Sequence, residues 1–79
     1  MPEWVAHSNH HITRTFQFKK YNETIQFVNQ VAQIAEEENH HPDLFVFYSK
    51  CEVKIYTHAV DGLSINDFIL ASKISTIDI

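Results

Sequence analysis

The amino-acid sequence predicts an α+β fold: a two-layer sandwich in which an antiparallel sheet of about four strands carries two helices on one face. Short segments alternate between apolar and polar residues, as half-buried strands do. Two other segments repeat apolar residues at the three- and four-residue spacing of amphipathic helices. The order strand, helix, two strands, helix is typical of helices packed against one face of an antiparallel sheet.

The first strand is predicted from Ile12 to Phe18. Ile12 and Phe16 point to the same side as Arg14, whose charged end is expected to reach solvent or to lie near a sheet edge. The segment around Trp4 is a candidate for a further, N-terminal strand.

The longer helix is predicted from about Asn22 to Glu38, with Asn22 as its N-cap. Its apolar stripe consists of Ile25, Val28, Val31, Ala32 and Ala35. Three successive glutamates, at positions 36–38, occupy the last turn, where negative charge opposes the helix dipole. Such a run is typical of a solvated face, but it can also mark a function that overrides helix propensity. Pro42 is expected to stop the helix, because the residue before a proline disfavours the α region.

A hairpin is predicted next, with strands at Leu44–Tyr48 and Glu52–His58 joined by Ser49-Lys50-Cys51. In the second strand, Val53 and Ile55 alternate with polar residues, which indicates one solvated face.

A turn at Asp61-Gly62 leads to the last helix. Gly62 is the chain's single glycine, so we expect it where the backbone is left-handed or crowded. Ser64 and Asp67 have the spacing of a capping box, with Asp in place of the usual Glu or Gln. The apolar stripe of this helix is predicted to be Phe68, Ala71 and Ile74. No linker or repeat interrupts the sequence, so one domain over residues 1–79 is expected.

Length and composition limit the classes of function. A chain of 79 residues buries only about 60% of its unfolded surface, so its stability is expected to be low. Cys51 is the single cysteine, which excludes an intrachain disulfide and a thiolate metal cluster. Self-association is therefore the expected source of further buried area.

The formal charge of −4 argues against direct binding to nucleic acid, which needs a basic surface. No apolar run approaches the roughly 20 residues of a membrane span. The start Met1-Pro2-Glu3-Trp4 lacks the basic and apolar regions of a signal peptide. A cytoplasmic protein without a membrane partner is therefore expected.

Histidines are the candidate functional residues. His40 and His41 follow the predicted helix, and His58 ends a predicted strand, so the three rings could surround one cleft. Three imidazoles can hold a metal ion such as zinc, or transfer protons near neutral pH without one. The residues alone leave both chemistries open. A second group, His7, His10 and His11, is expected to be a solvated segment, although its spacing permits metal binding.

A longer pattern joins these histidines to their surroundings. It runs Glu36-Glu-Glu-Asn-His40-His41-Pro42-Asp43, an aromatic residue at Tyr48, Thr57-His58, and Gly62-Leu63-Ser64-x-x-Asp67 before Leu70-Ala71. From about Trp4 to Ile74, the sequence resembles the pterin-4a-carbinolamine dehydratase family.

The resemblance implies a hydro-lyase that dehydrates 4a-hydroxytetrahydropterin, such as 4a-hydroxytetrahydrobiopterin, to quinonoid dihydropterin in tetrahydrobiopterin recycling. It implies no cofactor and no metal. The residues carried over as catalytic are His40, His41 and His58. Those carried over as bordering the pterin are Glu36, Pro42, Thr57 and Asp67. We expect His40 and His58 to transfer protons and His41 to orient the pterin.

The resemblance also implies a homodimer or homotetramer. The alternative function is a non-catalytic interaction module, because the animal relative also acts as a dimerisation cofactor for a transcription factor. The sequence departs from the family at Leu44, where some relatives have tryptophan, and at Asn66, which replaces an arginine. Most relatives also carry a further N-terminal helix ahead of the position of Trp4.

Overall fold

The computed structural model describes residues 3–79 and confirms the α+β architecture. Its strands are β1 (Val5–His7), β2 (His11–Gln17), β3 (Asp43–Val46) and β4 (Lys50–Ile55), all antiparallel, in the sheet order β1-β2-β4-β3. Its helices are α1 (Tyr21–Glu38) and α2 (Ile65–Ile74), and a 3-10 turn, His58–Val60, joins β4 to α2. Both helices pack against the same face of the sheet.

Strand register places alternate residues under the helices. In the β2–β4 pair, Ile12 lies opposite Ile55 and Arg14 lies opposite Val53. The buried core is Trp4, Ile12, Phe27, Val31, Cys51, Val53, Ile55, Leu70, Ala71 and Ile74. Arg14 extends its guanidinium over the Phe16 ring, 4.3 Å from the centroid. Its charged end therefore leaves the core as expected.

The N-terminus of α1 differs from the prediction. The helix begins at Tyr21, and its N-cap is Lys20 instead of Asn22. The carboxylate of Glu23 accepts hydrogen bonds from the backbone N–H groups of Lys19 and Lys20, at 3.2 and 3.1 Å. An acidic side chain inside the first turn thus satisfies the N–H of the N-cap residue and that of the residue before it; the first of these bonds is half of a capping box.

The buried face of α1 is also rotated relative to the predicted stripe. The buried residues are Thr24, Phe27, Val31 and Ala35. Ala32 is exposed, and Ile25 and Val28 are half-buried. Thr24 turns inward because its hydroxyl donates to the carbonyl of Tyr48 at 3.1 Å, a partner that lies in the distant hairpin.

The hairpin turn comes two residues earlier than predicted. The N–H of Phe47 donates to the carbonyl of Lys50 at 2.8 Å, so residues 47–49 form the turn and β4 begins at Lys50. Val46 is then paired with Cys51, which is completely buried. β4 ends at Ile55, and His58 begins the 3-10 turn instead of ending a strand.

Asp61, not Gly62, adopts the left-handed conformation in the last turn. Its φ is 48°, whereas Gly62 has no positive φ, and a Cβ at Gly62 would be 3.7 Å from its nearest neighbour. The prediction for Gly62 is therefore wrong on both counts. In α2, Ala71 and Ile74 are buried as predicted, but Phe68 is 40% exposed and Leu70 takes its place in the core.

Within residues 3–79, neither helix combines the length and hydrophobicity that crossing a membrane requires.

Burial of Cys51 gives a prediction for alkaline pH. Burial, followed by the charge of Glu52, raises the pKa of this thiol from 9.0 to about 11. Above pH 9 the unfolded chain loses the thiol proton while the folded chain keeps it. The free energy of unfolding should therefore fall by about 1.4 kcal/mol per pH unit at most between pH 9 and 11.

Urea denaturation at several pH values, for the wild type and Cys51→Ala, measures this contribution. Other groups titrate in both proteins, so the contribution of the thiol is the difference between the two plots of the free energy of unfolding against pH. If the two plots are parallel between pH 9 and 11, the prediction is wrong.

Candidate active site

The end of α1 determines where the two adjacent histidines lie. Asn39 has a left-handed conformation, with φ 52° and ψ 41°, and the N–H of His40 donates back to the carbonyl of Ala35 at 3.1 Å. Asparagine accepts this conformation more readily than most residues, and it commonly ends helices this way. The helix thus ends before Pro42 is reached, and His40 and His41 lie beside its last turn.

His40 is paired with a buried carboxylate. Its Nε2 is 2.6 Å from Oδ1 of Asp67; the His40 side chain is 16% exposed and that of Asp67 is fully buried. Because a carboxylate accepts hydrogen bonds, Nε2 carries the proton in this contact. Nδ1 of His40 is then the ring nitrogen that can exchange a proton with a substrate.

The second oxygen of Asp67 is held inside the protein. Oδ2 accepts from the hydroxyl of Thr57 at 2.9 Å and from the backbone N–H of Ser64 at 2.7 Å. Thr57 has one hydroxyl proton, and it goes to Asp67. The Ser64 hydroxyl must therefore donate in the 2.7 Å contact between the two hydroxyls. The capping role predicted for Asp67 is confirmed, and the same carboxylate also orients His40.

His41 is also paired with a carboxylate, but this pair is exposed to solvent. Its Nε2 is 2.6 Å from Oε2 of Glu36; these side chains are 58% and 76% exposed. The other glutamates of the acidic run differ in their surroundings. Glu38 is paired with Lys73 of α2, and Glu37 is exposed. One residue of the run thus contacts a candidate site residue, one links the helices, and one is solvated.

His58 lies apart from the other two candidates. It is exposed, and its ring centroid is 4.3 Å from that of Tyr56. Among residues 3–79, no hydrogen bond connects it to His40 or His41. The link is through the chain: the preceding residue, Thr57, is bonded to Asp67. Pro42 is half-buried just after the histidine pair.

Tyr48, which belongs to the sequence pattern, lies away from these groups. It is 71% exposed, and its ring stacks on Tyr21 with centroids 5.7 Å apart. Sequence reasoning assigned Ser64 only a cap and did not anticipate its contact with Thr57; the Ser64-x-x-Asp67 spacing was the available signal. Residues 3–79 enclose no pocket around the candidate residues.

The N-terminal histidines form a cluster on the β1–β2 turn. His7 and His11 stack with centroids 4.7 Å apart, and Nδ1 of His10 is 3.1 Å from Nδ1 of His11. His10 also contacts Asp61 and Tyr56, two neighbours of His58 in the chain. Within the described residues, no three histidine, cysteine or acidic side chains are placed to share a metal ion.

Comparison with known proteins shows the family to which the chain belongs. The sequence model of the pterin 4 alpha carbinolamine dehydratase family matches residues 1–77. The chain belongs to this family. Two relatives are provisionally named as such dehydratases. The relative from Rubrobacter xylanophilus is 40% identical over 74 residues, 94% of this chain. The relative from Legionella pneumophila is 54% identical over 70 residues, 89% of this chain.

The chain is shorter than these family members. It spans 69% of the Rubrobacter protein and 62% of the Legionella protein. It also covers 65% of a relative from Alkaliphilus metalliredigens, and 58% of one from Nitrosospira multiformis.

Solved structures show the same fold. The crystal structure of a transcriptional coactivator/pterin dehydratase from Brucella melitensis matches with a TM-score of 0.85 and 32% identity, covering 92% of this chain and 79% of that one. A pterin dehydratase-like protein, described as a RuBisCO assembly factor in the alpha-carboxysome, matches with a TM-score of 0.77. At 16% identity, with 91% of this chain and 84% of that chain covered, this second likeness establishes the fold alone.

The contacts of Asp67 predict a stability defect. In Asp67→Ala, three donors lose their acceptor: the His40 ring, the Thr57 hydroxyl and the Ser64 N–H. Breaking a buried pair of this kind typically costs about 3–5 kcal/mol. Asp67→Asn keeps the shape and one acceptor oxygen, so it should lose less. Urea denaturation measures both; an Asp67→Ala loss below about 1 kcal/mol would show that the network does not stabilise the fold.

Proposed function

We propose that this protein is a hydro-lyase that dehydrates 4a-hydroxytetrahydropterin to quinonoid dihydropterin, as part of tetrahydrobiopterin recycling. One observation carries the proposal: the His40 imidazole has one nitrogen held by a buried carboxylate at 2.6 Å, while its other nitrogen makes no hydrogen bond to a side chain among residues 3–79. Family membership supports the choice of a pterin as the substrate.

The reaction needs one proton in and one proton out. A proton reaches the 4a-hydroxyl, the C4a–O bond breaks, and water leaves. N5 loses its proton, and the N5–C4a double bond completes the quinonoid product. No electrons pass to an external carrier, so the proposal requires no redox cofactor. Imidazoles suit both steps because their ordinary pKa lies close to neutral pH.

The proposal gives the three histidines different roles. His40 exchanges a proton through Nδ1, because Nε2 is bonded to Asp67. His58 is the second proton-transfer group, on the turn that follows Thr57. His41, held by Glu36 in solvent, orients the pterin.

The location of the protein stays a prediction from the sequence, and the predicted location is the cytoplasm.

Asp67 and Thr57 were expected to border the substrate, and we now propose that they act mainly through His40. Both oxygens of Asp67 accept hydrogen bonds from the protein, and the Thr57 hydroxyl is bonded on both sides. Glu36 and Pro42 lie nearer solvent and remain the proposed pterin contacts.

Replacing the proton-transfer groups tests the proposed activity. His40→Ala and His58→Ala should each lower the rate of 4a-hydroxytetrahydropterin dehydration by about 100- to 10,000-fold. His41→Ala should mainly raise KM, because it removes binding without removing a proton donor. His7→Ala is the matched control, since His7 contacts Thr13 and His11 but none of the proposed catalytic groups. Stopped-flow absorbance measures all four.

A wild-type rate equal to the spontaneous reaction would reject the dehydratase. The non-catalytic interaction module would then be the better assignment. Binding of a dihydropterin to an inactive wild type would instead indicate a pterin-binding protein.

We also propose that the protein self-associates through β3. This strand is at the end of the sheet order, and a free strand edge can pair with another chain. Its Phe45 and Val46 are 46% and 43% exposed, and the adjoining Phe47 is 50% exposed. Pairing with β3 of a second copy would cover this apolar edge.

A charge on β3 should weaken this association. We expect Phe45→Lys to lower the molar mass measured by light scattering toward that of the monomer. Thr15→Lys adds the same charge at an exposed position of β2, away from that edge, and should leave the mass unchanged. A monomeric wild type, or equal effects of the two variants, would contradict the β3 interface.

A further inference from the structure

We infer that His10, on the turn between β1 and β2, is a positioning residue for His58. The inference rests on the proposed catalytic role of His58. Two contacts carry it: a hydrogen bond from His10 to Asp61, just after the 3-10 turn, and a ring contact with Tyr56, just before it. His10 thus touches the chain on both sides of His58.

The first contact fixes the C-terminal end of the turn. Asp61 ends the 3-10 turn that His58 begins, and its N–H donates to the His58 carbonyl at 3.1 Å. The Asp61 carboxylate accepts a hydrogen bond from Nε2 of His10 at 3.0 Å. The β1–β2 turn is therefore tied to the residue that closes the loop carrying His58.

The second contact reaches the His58 ring itself. The Tyr56 ring centroid lies 4.3 Å from that of His58 and 4.8 Å from that of His10. His58 is exposed, so few neighbours restrict its ring. Removing His10 leaves Tyr56 freer to move, and the His58 ring loses part of its support.

Both nitrogens of His10 are engaged. Its Nε2–H points to the Asp61 carboxylate, and its Nδ1 lies 3.1 Å from Nδ1 of His11, so one proton is shared between the two Nδ1 atoms. Burial, followed by the charges of Lys54, His7 and His10, lowers the pKa of His11. A neutral His11 can accept a hydrogen bond from Nδ1 of a charged His10, or donate one to Nδ1 of a neutral His10. This hydrogen bond therefore holds the His10 ring whether or not His10 is charged.

The expected effect is modest. Asp61 is 90% exposed, and exposed ion pairs contribute little. The aromatic contact adds a comparable amount. Together they predict a fall in kcat of about three- to tenfold for His10→Ala, with KM nearly unchanged. This is far less than the loss expected for His58→Ala.

The first measurement needs no activity. Proton NMR of the His58 ring, assigned by comparison with His58→Gln, reports its position against the Tyr56 ring current. In His10→Ala this signal should shift toward its value in an unfolded peptide. His7→Ala removes another imidazole from the same hairpin without touching Asp61 or Tyr56, and should leave the signal in place.

The second measurement is the kinetics of the same variants. His10→Gln retains an N–H donor for Asp61 and should recover part of the lost kcat. Asp61→Gly tolerates φ 48° and removes the oxygen that His10 donates to, so it should lower kcat alone, but not in a His10→Ala background. Thermal unfolding of each variant separates local movement of His58 from a general loss of folding.

An unchanged His58 signal in His10→Ala overturns the inference. So does a shifted signal without a change in kcat, where the wild type is active. If the wild type dehydrates no pterin, the proposed function fails, but the NMR shift still tests whether His10 positions His58.

Discussion

The carboxylate of Asp67 is the constraint on which the rest of the site depends. It is fully buried, and such a charge is tolerated only when its hydrogen bonds are made. Its donors come from three places: the chain after α1, the chain after β4, and the N-terminus of its own helix. The carboxylate therefore fixes these three segments relative to one another. The position of His40 follows from this arrangement.

Local sequence signals predicted the positions of the helices and strands more accurately than they predicted which face of each is buried. Apolar periodicity identified both helices and the strands β2 and β4, because period depends on the conformation of each segment alone. The buried face of α1 was misplaced because Thr24 is a polar residue that becomes buried by bonding to Tyr48. That partner is 24 residues away, so the pattern within α1 carried no information about it.

The candidate site shows the same division between local and distant contacts. The spacing of Ser64 and Asp67 predicted a helix cap, and the cap is present. It could not show that His40, 27 positions earlier, shares the carboxylate. The position of His58 was missed because a strand was extended through it. The chain turns there through Asp61, a non-glycine residue with positive φ, whereas the prediction placed the special conformation at Gly62.

The left-handed Asn39 has a consequence for how this family can diverge. Asn39 turns the chain at the end of α1. As a result, His40 is hydrogen-bonded to a carboxylate of α2, that of Asp67, and His41 to a carboxylate of α1 itself, that of Glu36. His40 is thus part of the joint between the two helices as well as the proposed proton-transfer group. Under that proposal, selection for a stable fold and selection for the reaction act on the same imidazole. A descendant that no longer performs the reaction would still be under pressure to keep His40, while His41 would be free to drift.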